Sequence, residues 1–129
     1  MLTDKINQFS ALKPDYNEQL SNHLPMTAHA LMALGATNTH ISQYIKEYTS
    51  RLEQAENHPL VINRDSWQEH LGQNIYYKNY FEYFLGEFEH ASSSEVLKLY
   101  LPVFIKSPAS RAFHCMLRLA YGIMSNNKV

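Results

Sequence analysis

One cysteine, Cys115, is all the chain has, so an internal disulfide and a thiolate zinc cluster are both excluded. Glycine is almost as scarce. The four glycines never fall in a G-x-G arrangement, which leaves no Gly-rich phosphate loop and no dinucleotide fingerprint. So few glycines also argue against a sheet protein with many tight turns. An excess of one charge is missing too. The 11 Lys and Arg nearly balance 12 Asp and Glu, for a net charge of −1, and no basic block occurs. That is not the footprint of a nucleic-acid binder. No apolar run reaches the roughly 18 residues of a membrane span. The first residues, Met1 to Lys5, show no basic region followed by an apolar core, so no secretory signal is expected and the expected compartment is the cytoplasm.

What is present points to helices. The 129 residues suit a single domain, 1–129, large enough to bury a core without metals or disulfides. Nine Tyr and six Phe stand beside one Trp, which fits long helices packed by aromatic rings. Leu2, Ile6, Phe9 and Leu12 have helical spacing, closed by Pro14. Asn22 is placed to cap a second helix that buries Leu24, Met26, Leu31 and Leu34 and stops at Gly35. Thr37, Asn38 or Thr39 caps a third, with Ile41, Tyr44, Ile45, Tyr48 and Leu52 on one side and His58-Pro59 as its breaker. Leu60-Val61-Ile62 has no partner strand and reads as a buried loop. Asp65 or Ser66 opens a short helix closed by Gly72. Tyr77, Phe81, Phe84 and Phe88 then repeat at i, i+4, i+7 and i+11, one face of an aromatic helix ending near His90. Ser94 is the expected cap of the next helix, which Pro102 should kink. A last helix follows Pro108 and Ser110. The expected architecture is all-α: a compact multi-helix domain of about six or seven helices around one core.

That last helix carries the candidate chemistry. At about 100° per residue, His114, Arg118, Tyr121 and Ser125 fall in one narrow stripe. Around them lie Phe113, Met116, Leu117, Ala120, Ile123 and Met124, all apolar. A titratable ring, a fixed cation and a phenol on a helix made for burial each need a hydrogen bond, an ion or a ligand. Imidazole can move a proton or bind a metal near neutral pH, and a guanidinium can hold an anionic oxygen. Set against this is the ordinary alternative, a histidine bonded to a backbone carbonyl and an arginine paired with a buried carboxylate. His23 and His29 lie about 120° apart on their helix and cannot share one ion. One Glu-x-x-His occurs, Glu87 to His90, where a helical diiron site needs two. No metal site is therefore expected. Cys115 points about 100° away from His114 and reads as a buried, inert thiol.

Taken in order, Asn22-His23-Leu24-Pro25-Met26, then Ala30-Leu31, Leu34-Gly35-Ala36, Leu101-Pro102, Ala112-Phe113-His114 and Arg118-Leu119-Ala120-Tyr121 resemble the questin oxidase-like family from about Leu20 to Gly122. Members named for their activity open an anthraquinone ring by Baeyer–Villiger type oxidation. The resemblance implies an oxidoreductase acting on an aromatic or polycyclic carbonyl compound, with NADPH as the implied cofactor although this chain has no nucleotide motif. It carries His23, His114, Arg118 and Tyr121 over as site residues: His114 as proton-transfer group or ligand, Arg118 as oxyanion partner, His23 as a second polar wall. Tyr121 and Tyr80 would orient the ring. Family members are usually several hundred residues long, so the chain resembles their N-terminal part. Cys115 also stands where the family is expected to have glycine. The alternative function is a non-catalytic helical binding or dimerisation module. A chain resembling part of a larger domain should leave apolar helix surface uncovered, and a homodimer through the aromatic or the last helix would cover it.

Overall fold

A computed structural model describes residues 8–17, 20–107 and 114–124. Among these are five α-helices, fewer than the six or seven expected: α1 (Leu24–Ala33), α2 (Asn38–Thr49), α3 (Tyr77–His90), α4 (Ser93–Phe104) and α5 (His114–Met124). Two 3-10 turns, Gln8–Ala11 and Asn74–Tyr76, and one small antiparallel hairpin, β1 (Asp15–Tyr16) with β2 (Leu20–Ser21), complete the regular structure. The N-terminal helix expected over 2–12 is met only by the turn Gln8–Ala11, because residues 1–7 lie outside the described part. The helix expected after Asp65 is a succession of turns instead. Asn63 explains this. Its Oδ1 accepts from the N–H of Asp65 and of Ser66, which ties the chain into a side-chain-driven turn, and a segment this short has little helical stability of its own. Leu60 to Ile62 is a loop, with Ile62 buried, and the Asn79 amide donates to the carbonyls of His58 and Leu60. The start of the last helix, around Pro108 and Ser110, lies outside the described residues.

Local chemistry sets the helix ends. Thr37 caps α2, its Oγ1 accepting from the His40 N–H at 3.3 Å. Gly35, at φ +79°, ends α1 in a Schellman arrangement: Ala36 N–H reaches Leu31 O and Gly35 N–H reaches Met32 O. At the start of α1, Asn22 Oδ1 does accept a helical N–H, that of Leu24, but His23 occupies the cap position itself. The cap of α4 is Ser92, two residues before the expected Ser94. Ser92 and Glu95 satisfy each other's backbone N–H groups in a capping box. α2 ends at Thr49, well before His58-Pro59; Thr49 and Ser50 turn their hydroxyls back onto the carbonyls of Ile45 and Glu47. α4 runs through Pro102 to Phe104.

Among the described residues the apolar interior forms two clusters, where one core was expected. The first joins α1, α2 and the N-terminal turn through Leu12, Leu24, Ala28, Ile41 and Ile45, with Tyr44, Tyr48 and Leu52 against it. Leu24 and Ile41 are its fully buried centre, where truncation to Ala costs about 2–5 kcal/mol. Leu34, expected in this core, is 84% exposed, because it sits at the end of α1 just before the chain reverses at Gly35. The second cluster gathers Ile62, Trp67, Val96 and Tyr100 under α3 and α4. Here α3 presents Tyr80, Tyr83, Phe84 and Phe88, a face rotated from the expected one, so that Tyr77 is left to the other half of the molecule. Along the second cluster runs a polar chain. Arg64 donates twice to Glu87, which also accepts from Tyr100 at 2.7 Å, and Tyr100 pairs with Tyr83.

Candidate functional site

The bend between Lys13 and Leu24 positions the first site residue. Asn22 is 4% exposed and fully used: its Nδ2 donates to Lys13 O, its Oδ1 accepts from Leu24 N–H and its own N–H reaches Pro14 O. This locks the chain entering α1, so His23 projects from a rigid corner. The His23 backbone N–H donates to Tyr48 Oη at 3.2 Å, and Tyr48 lies 3.4 Å from Tyr16 Oη. The second histidine arrives from the far end of the chain. α5 packs against α1 and brings His114 to His23 with the two Nε2 atoms 2.8 Å apart. The rings meet edge to face, centroids 4.8 Å apart at 68°.

Two imidazole nitrogens at this distance bond only when one carries a proton and the other does not. The contact is thus a one-proton device, stable with one shared hydrogen and repulsive with two. The surroundings of His23 favour its neutral form. Burial pushes its pKa below the ordinary value, and the neighbouring His114 and then Arg118 push the same way; the Ser21 carbonyl opposes them. His29 is also lowered, by burial alone, and is not part of the pair.

Arg118, one turn beyond His114, belongs to the same corner. Its Nη2 donates to Pro14 O at 2.6 Å and to Asn22 O at 2.8 Å. Both of these bonds go to main-chain carbonyls. The guanidinium therefore clamps α5 to the segment that carries His23. Tyr121 lies half-buried on the same face of α5 and makes no hydrogen bond among the described residues. Tyr80 is elsewhere: its hydroxyl donates to Trp67 O in the second cluster.

Three tyrosines at this corner were not singled out from the sequence as site residues. Tyr48, pushed up to about 12 by burial and by its bond to Tyr16, holds the His23 backbone. Tyr77 is raised by burial, with Arg118 pulling the other way. Their signal was general: a phenol on an apolar helix face needs a partner. Tyr16 and Tyr77 also line a groove of about 350 Å3, together with Lys13, Asp15, Asn74 and Lys78. That is within the range of small-molecule sites, roughly 300–1,000 Å3.

The facing nitrogens of His23 and His114 are two donors that one cation can use, at about 2.0–2.1 Å each for a metal such as zinc. Among the described residues no three of His, Cys, Asp and Glu gather into a metal-binding set. Glu87, the carboxylate of the single Glu-x-x-His motif, is held by Arg64 and Tyr100. A Gly-rich dinucleotide turn is not formed among the described residues. The positive-φ glycines Gly35 and Gly72 face open space at segment ends, and the sheet among the described residues is a two-stranded antiparallel hairpin with no strand-to-helix phosphate turn. No described helix is long and apolar enough to cross a membrane.

A search of curated proteins and a search of solved structures returned no significant match. A family model described as questin oxidase-like matches residues 20–129, which takes in both histidines, Arg118 and the whole of α1 to α5. The chain belongs to the questin oxidase-like family.

Proposed function

We propose that the protein is an oxidoreductase acting on an aromatic or polycyclic carbonyl compound by oxygen insertion of the Baeyer–Villiger type. The family name supports the redox class. The observation that carries the reading at the level of residues is the His23–His114 contact at 2.8 Å. An imidazole pair sharing one proton can take a proton from a substrate phenol or give one to a developing alkoxide without a solvent exchange. The depressed His23 pKa keeps an unprotonated nitrogen ready near neutrality. Arg118 acts here as a positioning residue: through Pro14 O and Asn22 O it holds α5, and so His114, within bonding distance of His23. The flat ring stacks on the phenol faces of this corner.

The test is turnover of an anthraquinone or a related polycyclic ketone under oxygen, with reduced nicotinamide supplied. The expected product is heavier by one oxygen atom and is lost in His114→Ala and His23→Ala. Turnover unchanged in both variants refutes the assignment of the pair. Metal analysis of the purified protein separates the two uses of the nitrogens: a stoichiometric metal lost in either variant makes them ligands, and none leaves them as the acid–base pair.

A further inference from the structure

Tyr100 is 3% exposed, yet its phenol is not tied to a backbone carbonyl, the partner that Tyr80 takes at Trp67 O. It donates instead to a carboxylate, Glu87 Oε2, at 2.7 Å. That carboxylate is kept ionised. The Arg64 guanidinium holds it below the usual carboxylate range against the opposing effect of burial, and Tyr100 pulls the same way as Arg64. A hydroxyl has one proton, and that of Tyr100 goes to Glu87, so Tyr83 is the donor in the Tyr83–Tyr100 bond. The Tyr100 oxygen therefore has a proton acceptor and a hydrogen-bond donor at once. Against its ring lies Trp67, the one tryptophan of the chain, with centroids 4.9 Å apart at 85°. Trp67 is shielded too, and its backbone is held by the bonds to Tyr80 and Asn63. Packing alone does not ask for this arrangement. A phenylalanine at position 100 would fill the same space, and an ion pair at the edge of an apolar cluster carries a desolvation cost.

We propose that Trp67 and Tyr100 form a one-electron relay, in which Tyr100 holds an oxidising equivalent as a neutral tyrosyl radical while Glu87 holds its proton. The external partner is a one-electron oxidant of the peroxyl-radical or ruthenium(III) class. It takes one electron from the Trp67 indole and leaves an indole radical cation. Tyr100 then gives one electron to that cation, which returns to neutral indole. In the same step the phenolic O–H breaks and its proton passes to Glu87, where a carboxylic O–H forms. One positive and one negative charge vanish together, which favours the step in surroundings where charges are poorly solvated. The proton crosses a single hydrogen bond that is already made. The Tyr83 hydroxyl remains on the Tyr100 oxygen and stabilises the radical. A thiol or ascorbate returns the electron, and Glu87 returns the proton. None of these residues belongs to the His23–His114 corner, so the inference stands apart from the proposed reaction.

Flash photolysis of the full chain with ruthenium(II) tris(bipyridine) and persulfate at neutral pH tests it, read by transient absorption. With one tryptophan in the chain, the indole radical signal reports Trp67 alone. In wild type that signal is expected to decay into a tyrosyl signal, and to do so more slowly in heavy water, because a proton moves with the electron. Tyr100→Phe, which keeps the ring, is expected to lose this tyrosyl product and to prolong the indole radical several-fold. Glu87→Gln, which keeps a hydrogen-bond acceptor but takes up no proton, is expected to slow the decay several-fold as well. Equal indole radical lifetimes in wild type and in Tyr100→Phe with native far-UV circular dichroism overturn the relay. So does a wild-type decay unchanged by heavy water, a result that needs no variant. A decay in Glu87→Gln as fast as in wild type overturns Glu87 as the proton acceptor.

Discussion

Replacing Arg118 by Met keeps the length and apolar stem of the side chain and removes the clamp. In the native fold Nη2 of Arg118 donates to two carbonyls, Pro14 O and Asn22 O. Hydrogen bonds involving a charged group contribute about 1.5–3 kcal/mol each. The Pro14 carbonyl keeps a second donor, the Asn22 N–H at 2.9 Å, so its loss counts less than that of the Asn22 carbonyl. The site is half-buried, so water compensates part of the rest. The expected destabilisation is therefore about 2–3 kcal/mol, well below the sum of two full bonds. Urea denaturation followed by circular dichroism measures it as a lower midpoint with an unchanged slope. Arg118→Lys should fall between, because a single ammonium cannot reproduce the forked contact with two oxygens. A midpoint for Arg118→Met within about 0.5 kcal/mol of wild type, the usual range of surface substitutions, would refute the clamp.

Acid should weaken the fold. His23 and His29 have lowered pKa values in the native protein, so the unfolded chain, titrating near 6.5, takes up their protons first. Stability is expected to be flat above about pH 7 and to fall as pH drops below about 6.5, measured by urea midpoints; a stability maximum at pH 5 would contradict this. Glu87→Ala removes the acceptor shared by Arg64 and Tyr100 and should cost about 1–3 kcal/mol, with Tyr83 left as the partner of Tyr100. Thermal melting of Gly35→Ala should show a loss of about 1–2 kcal/mol, because φ is +79° while the space beside the Cα is open.

Local signals were legible in the sequence where one residue decides. Gly35 had to end α1, a cap among Thr37, Asn38 and Thr39 had to start α2, and the Tyr and Phe spacing had to make α3 a helix. Between neighbouring serines the choice of Ser92 over Ser94 turned on Glu95, three residues after the former. The polar stripe of α5 was visible too, but its direction was not. Apolar neighbours suggested burial of the whole helix, and the fold instead turns His114, Arg118 and Tyr121 inward, half-buried, and exposes the neighbours, Cys115 among them although it was expected to be buried; Ser125 lies outside the described residues. That inversion depends on partners far away in the chain: Pro14 O and Asn22 O for the guanidinium, His23 for His114 across 91 positions. No helical period encodes such a meeting. His23 entered the candidate site through family resemblance, and its pairing with His114 is a property of the packing of α5 on α1.

The pairing itself is open to direct measurement. Imidazole titration by NMR, with nitrogen-15 in the rings, reports the pKa of His23 in wild type and in His114→Ala. The contact predicts a wild-type value below the ordinary 6.5 and an upward move when the second ring is removed, since His114 is one of the two groups that hold it down. A His23 that titrates at the ordinary value, and does so equally with and without His114, would contradict the shared-proton pair on which the proposed chemistry stands.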